Sequence, residues 1–453
     1  MHFELKNKAF YKKTLVMMMP VIFQQLITMG VNFTDNLMVG NFGEIQISAA
    51  SFSNQFYSLF QFICMGLGGG AIVMSSQFWG RKEIDLMKPV ITIAMRFTAV
   101  ICLAFALVSG FAPAVILRMF TNDIQIVQSG VPYLRILAIT FLLSGFSSTA
   151  TFILRSVSEV KIPLISSAVA FLLNVFFNWI FIFGKFGAPR LEIQGAAIGT
   201  LIARSFEFCF IIGYFLLKDR KIGFRFKDLF CSTNGIFKEY MRYSIPVLIS
   251  DTLLGLSLSL ITVIIGHTGR EIASANAIAN SLVNLISILN MGMGEAAAVV
   301  IGQSIGEGAI ERTKREGNTY LLLSLLIGVI IIPVLILLEK PFLSAYQITS
   351  ETYQMVHWII MFTCFLMPIQ TIAFVLTKGI LRGGGDTRFL LLADNGMVWF
   401  VSLPLGALAA FVWHWNPLFV YAILRLEYPL KGIVGFIRYC SGKWISIIGN
   451  KTN

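Results

Sequence analysis

The stretch MGLGGGAIVMSSQFWG, residues 65–80, is echoed 226 positions later by MGMGEAAAVVIGQSIG, residues 291–306. Met65/Met291, Gly66/Gly292, Gly68/Gly294, Gln77/Gln303 and Gly80/Gly306 coincide at that single offset. Working outward, the same offset pairs Pro20/Pro246, Gly40/Gly266, Gly43/Gly269, Ala49/Ala275 and Asn54/Asn280. At an offset of 227 the match resumes with Leu154/Leu381, Arg155/Arg382 and the acids Glu159/Asp386. The chain therefore reads as two copies of one unit. The short glycine spacing in 65–71 has no strand before it and apolar sequence around it, so it is not a dinucleotide loop.

The copies are built for lipid. Of 453 residues, 56% are hydrophobic and only 13% charged, with 40 Phe and 7 Trp, and the mean hydropathy is +0.78. Such a balance excludes a soluble globule, a disordered chain and a disulfide scaffold. The six Cys (64, 102, 209, 231, 364 and 440) show no metal or redox spacing. No cofactor is expected.

Apolar runs of bilayer-crossing length fall at 15–38, 48–76, 90–111, 132–153, 164–184, 195–217, 245–266, 273–302, 318–338, 356–378, 389–411 and 418–437. They lack period-2 alternation and exceed strand length, which excludes a β-barrel. The expected fold is an all-α membrane protein of twelve transmembrane helices. It divides into an N-terminal six-helix lobe (1–217), a basic cytosolic linker (218–244) and a C-terminal six-helix lobe (245–453). Because six is even, both lobes enter the membrane the same way and are related by a pseudo-two-fold axis along the membrane normal.

Charge gives the orientation. The net charge of +12 in a soluble protein would point to nucleic acid; here the bases lie between spans. With the N-terminus inside, 25 of the 35 Lys and Arg are cytosolic, from Lys6, Lys8, Lys12 and Lys13 through the seven of 218–244 to Arg438, Lys443 and Lys451. Arg118, Lys185, Arg190, Arg270 and Lys340 face the other way. The N-terminal run is too long for a signal-peptide core and lacks a small-residue cleavage site. The expectation is a multi-pass plasma-membrane protein with both termini cytosolic and no nucleic-acid partner.

Several segments, in order, resemble the multidrug and toxic compound extrusion (MATE) transporters, prokaryotic branch, of the MOP flippase superfamily. They are Asp35-Asn-Leu-Met-Val-Gly40, Gly66-Leu-Gly68 leading to Ser76-Gln77-Phe-Trp-Gly80, and Gly292-Met-Gly294 leading to Gly302-Gln303-Ser-Ile-Gly306. Asn174-xxx-Asn178 ahead of Ile182-Phe-Gly184, and Leu381-Arg382-Gly-Gly-Gly-Asp386-Thr, complete the set. The resemblance covers essentially the whole chain. It implies a V-shaped two-lobe bundle exporting cationic or amphipathic compounds, driven by inward flow of Na⁺ or H⁺, with the helix 1 acid as the recurrent coupling residue. Many relatives place an Asp four residues after the first Asn; this chain has Asn178 there. Some bear a carboxylate ten residues before the Leu of the LRG segment, where this chain has Thr371.

An ionisable group inside a bilayer is a functional candidate by default. Asp35 stands first. It lies 15 residues past Pro20, and its counterpart at the 226 offset is Ile261, so the acid belongs to one lobe only. Its charge can be neutralised by a proton or by Na⁺, the one metal ion expected. Asn174 and Asn178, four apart on one helical face, and Thr200, which matches a polar position of the family, complete the expected coupling set; interhelical glue is the competing reading for the asparagines. Asp251, Glu295 and Asp394 are candidates for a second-lobe cation site or an intracellular gate, or each pairs with a nearby Arg. Arg204 and Glu207, three apart, read as a structural ion pair. Glu427 and Lys431 read as an i,i+4 pair at the interface beside Arg425, and Arg96 and Arg135 as snorkelling or acid-paired. Pro20 and Pro246 are hinge candidates.

Rival functions are weaker. An enzyme needs clustered His, Cys or carboxylates, and the four His (His2, His267, His357 and His414) are scattered. A channel suits a ring of like residues, absent here. The alternative is a lipid-linked oligosaccharide flippase of the same superfamily, which needs a strongly cationic cavity; acids and aromatic walls suit organic cations better. The expected partners are the bilayer and small organic cations, and the chain is expected to act as a monomer.

Overall fold

The computed structural model describes residues 3–4, 7–344, 346 and 348–449; His2, Lys6 and Lys451, named above, lie outside the described residues. Hydrocarbon offers the backbone no hydrogen-bond partner, so the apolar runs close their bonds internally as helices. In chain order these are α1 (Lys8–Val39), α2 (Glu44–Gly80), α3 (Ile84–Phe111), α4 (Pro113–Arg118), α5 (Ile124–Ser156), α6 (Lys161–Phe183), α7 (Ile193–Gly213) and α8 (Phe237–Thr268). Then follow α9 (Arg270–Gly306), α10 (Ile310–Leu343), α11 (Ser350–Phe374), α12 (Thr387–Met397), α13 (Leu403–Phe411), α14 (Pro417–Leu424) and α15 (Glu427–Cys440). Wide π-helical turns extend α7 through Tyr214–Lys218, extend α11 through Val375–Leu381, and join α12 to α13 through Val398–Ser402.

Eleven of these helices, with the π-extended ones counted whole, are long and apolar enough to cross a membrane among the described residues. The twelfth expected span, 418–437, is not one rod. It breaks at Arg425–Leu426 into α14 and α15. The break turns the Arg425 guanidinium onto the Asn280 amide oxygen (3.2 Å) and over the Tyr421 ring (5.1 Å). Both helices α1 and α8 run unbroken through Pro20 and Pro246.

The chain forms two compact units. Unit 1 comprises Met1–Ile22, Ser76–Lys82 and Arg242–Asn453; unit 2 comprises Phe23–Ser75 and Glu83–Met241. They follow the sequence halves except for two segments. One is the first part of α1, where the division falls two residues past Pro20. The other is the end of α2, which belongs with the second copy.

The reason for the second exception lies in the repeated stretch. A Cβ on Gly80 would stand 2.2 Å from the Gln303 carbonyl oxygen, and one on Gly306 would stand 2.1 Å from that of Gln77. These contacts are reciprocal at the 226 offset, the pattern a two-fold axis imposes. Only glycine permits so close a backbone approach. The Gln77 side chain then donates to the Ser446 carbonyl (3.0 Å) and accepts from Ile448 N–H (3.0 Å), fixing the chain beyond α15.

Segment 218–241 is folded against unit 2. Asp219, fully buried, accepts N–H bonds from Lys221, Ile222 and Gly223. The Arg225 guanidinium donates to three carbonyls, those of Leu216, Asp219 and Phe224. Arg96 on α3 donates to the Leu229 carbonyl at 2.8 Å, and Thr92 to that of Asp228 at 2.7 Å. Arg96 is thereby accounted for as a tether. Arg135 is exposed.

Candidate functional site

In unit 2 the expected coupling residues meet. The α7 sequence IQGAAIGT (193–200) presents small residues to α6, and a Cβ at Gly199 would lie 2.0 Å from the Asn178 side-chain oxygen. The two helices are therefore close enough for a polar chain. Asn174 Nδ2 donates to Thr200 Oγ1 (3.3 Å), Asn178 Nδ2 donates to Asn174 Oδ1 (3.3 Å), and Asn178 Nδ2 also donates to Asp35 Oδ1 (2.5 Å). Both asparagines are buried and Asp35 is half-buried.

Asn178 Oδ1 is a buried acceptor without a hydrogen-bond donor among the described residues. It stands on the amide that holds Asp35, so an amide oxygen and a carboxylate neighbour one another. Oxygen donors of this kind suit a hard monovalent cation or a carboxylic acid proton.

Arg204 and Glu207 on α7 form the i,i+3 ion pair at 2.5 Å. The Arg204 charge also acts on Asp35, and so does the Tyr133 hydroxyl of α5, which donates to Asn54 Oδ1 of α2 at 3.5 Å. Tyr57, one turn along α2 from Asn54, is near enough to act electrostatically on Arg204. Sequence reasoning missed Tyr133 and Tyr57 at the site. Asn54 carried a signal, being repeated as Asn280, yet the two copies differ in use: Asn54 accepts from Tyr133, whereas Asn280 accepts from Arg425.

Unit 1 brings together two of its three candidate acids. Asp251 on α8 and Asp394 on α12 are fully buried, and Lys378 Nζ lies 2.7 Å from Asp251 Oδ1 and 2.9 Å from Asp394 Oδ2. Arg382 Nη2 reaches both Asp251 oxygens, at 2.7 and 2.9 Å. Lys378 sits in the π-helical turn Val375–Leu381 and Arg382 follows four residues later, so both point the same way. Glu295 on α9 is half-buried and follows Gly294, which packs on the Lys378 stem. Thr371, one turn of α11 before the π segment, is buried.

The interface reading of Glu427 and Lys431 is corrected. Both are buried, at 3% and 6% exposure. The Lys431 ammonium sits 5.0 Å above the Tyr428 ring, and its charge reaches Asp394. The break before α15 turns this charged start of the helix inward.

The repeated LR segments act alike in both units. Arg155 donates to the Gln24 side-chain oxygen, four residues past Pro20, as Arg382 does to Asp251, five past Pro246. The repeated acids pair with later bases: Glu159 with Lys221 (2.9 Å) and Asp386 with Arg438 (2.6 Å).

The sequence profile of the MatE family matches residues 20–180 and 246–421. A probable multidrug resistance protein, NorM, of Thermotoga maritima is 24% identical over 443 residues, spanning 96% of this chain and 93% of that protein. A solved structure described as the outward-facing conformation of a multidrug resistance MATE family transporter of the MOP superfamily superposes with a TM-score of 0.84 at 16% identity. It covers 95% of this chain and 96% of its own. A second, described as MATE in the bent conformation, gives 0.85 at 16% identity over 96% of each chain. The fold is that of these neighbours, twelve helices in two lobes.

Proposed function

Because this chain belongs to the MatE family of membrane transporters, we propose that it exports cationic or amphipathic organic compounds by cation-coupled antiport with alternating access. It is a transporter and not an enzyme. In this reading it works as a monomer in the plasma membrane, with both termini cytosolic and Na⁺ or H⁺ as the ion carried inward.

One observation carries the coupling assignment. Among the spanning acids, Glu207, Asp251 and Asp394 each hold an ion pair, whereas Asp35 accepts a neutral amide N–H and has no ion-pair partner among the described residues. An unpaired charge within the hydrocarbon is costly and calls for a proton or a mobile cation. Asp35 is thus the acid that opposing species load in turn.

The cycle runs as an exchange. With the site open outward, a proton or Na⁺ reaches Asp35, joined by the free Asn178 oxygen, and neutralises the charge that held an organic cation. Helix α1 bends near Pro20, where the division between the compact units falls, and the cation leaves. The site then opens inward, the ion departs, and Asp35 recharges. Lys378 and Arg382 of unit 1 are committed to Asp251 and Asp394, which favours cationic cargo over a pyrophosphate-linked lipid.

The test is ethidium efflux from proteoliposomes with Na⁺ and pH gradients imposed independently. Wild type should follow one gradient, and Asp35→Asn should lose gradient-driven efflux while inserting normally. Efflux by Asp35→Asn at the wild-type rate would refute the assignment.

A further inference from the structure

The two units treat equivalent positions in opposite ways. At the offset of 227 that relates Arg155 to Arg382, Lys378 corresponds to Thr151 and Asp394 to Ser167; at the 226 offset of this helix Asp251 corresponds to Gln25, and the adjacent Gln24 takes its place in contact with Arg155. In unit 2 this set is joined by neutral groups: Gln24 Nε2 donates to Ser167 Oγ at 2.9 Å, and Gln24 accepts from Arg155. In unit 1 the same junction of helices carries two carboxylates and a lysine. The fold can thus tie these helices without the three ionic groups. They are present as a set, and with Arg382 on Asp251 the charges balance.

Geometry says what the lysine does within it. Its ammonium lies 2.7 and 2.9 Å from one oxygen of each acid, and both acids are fully buried. Asp251 has a second partner in Arg382, but among the described residues neither Asp394 oxygen has a hydrogen-bond donor aligned with it. Lys431 and Arg382 act on Asp394 only at longer range. Two buried carboxylates bridged by one monovalent positive centre form a cation site whose occupant is part of the chain.

We propose that the Lys378 ammonium fills a monovalent-cation site between Asp251 and Asp394, so that unit 1 carries its cation tethered and Asp35 alone exchanges ions. The inference rests on the antiport reading for its meaning, though its test does not use transport. Removing the tether should open the site to a mobile cation, Na⁺ or methylammonium.

The experiment is thermal unfolding of the full-length protein in NaCl, methylammonium chloride or choline chloride at equal ionic strength. All variants are made on Asp35→Asn, so no ion at Asp35 contributes; failure of the antiport reading appears only in the efflux of Asp35→Asn. Lys378→Thr should gain a Tm rise of about 2 °C or more in Na⁺ or methylammonium over choline, absent from the parent. Lys378→Thr/Lys431→Met should show the same gain, which keeps the Lys431 ammonium from standing in. Lys378→Thr/Asp394→Ser should lose it. The neutral triple variant Asp251→Gln/Lys378→Thr/Asp394→Ser, which copies unit 2, should fold without cation dependence. No cation-specific rise in either lysine variant would overturn the proposal. So would failure of both to fold in every salt while the triple variant folds, because Lys378 would then be a structural counter-charge. Failure of the triple variant would remove the premise that neutral groups suffice.

Discussion

Among the described residues one donor, Asn178, holds Asp35, and it is the most direct handle on the acid. A hydrogen bond to a charged group is worth about 1.5–3 kcal/mol, or roughly tenfold and more in an equilibrium. Asn178→Leu is therefore expected to cut gradient-driven ethidium efflux about tenfold or more, measured as initial rates normalised to inserted protein; a rate within about twofold of wild type would show that the amide does not position the acid. The acid itself was legible in sequence, because a lone carboxylate in an apolar run has few innocent explanations. The Asn174–Asn178 face was legible from its i,i+4 spacing. Tyr133 and Tyr57 were not, since aromatic residues are abundant here and only packing brings the Tyr133 hydroxyl near the acid and the Tyr57 hydroxyl near Arg204. Glu427 and Lys431 were misplaced at the interface for a related reason: four-residue spacing fixes a shared helical face but not whether that face meets water or protein.

At the scale of elements, the repeat predicted its own contact. Gly80 and Gly306 are shared by both copies, and each lets the other copy's backbone approach to a distance no side chain tolerates. Gly306→Leu should destabilise the protein by about 1–3 kcal/mol through overpacking, read as a Tm several degrees lower in detergent. An unchanged Tm would mean that the contact is not held in solution. The fold of segment 218–241 was invisible in sequence, where it read as a basic linker. Its order comes from guanidinium-to-carbonyl bonds, and a carbonyl is present at every residue, so no spacing betrays them. Arg96→Ala is expected to speed amide exchange across residues 222–231 while leaving α6 unaffected; unchanged exchange there would show that the tether is dispensable. The break at Arg425–Leu426 was equally hidden, since hydropathy counts residues without following the helix axis.

For the whole molecule, hydropathy and charge decided the class, the number of spans and the expected orientation. That orientation is testable with Cys440, which is exposed beyond the last apolar run. In a variant with the other five cysteines changed to Ser, a membrane-impermeant maleimide should label Cys440 in inside-out vesicles and not in right-side-out ones. The reverse pattern would invert the topology. What ties residue, element and molecule together is electrostatic. The ion pairs of Glu207, Asp251 and Asp394 are internal, whereas Asp35 has no ion pair among the described residues, so its charge depends on what binds it. The decisive measurement is equilibrium ethidium binding to the purified protein across a series of Na⁺ concentrations and, separately, of pH. Antiport through Asp35 predicts that the coupling ion weakens ethidium binding in wild type and that this antagonism vanishes in Asp35→Asn. Ethidium and ion bound together without mutual weakening would contradict it.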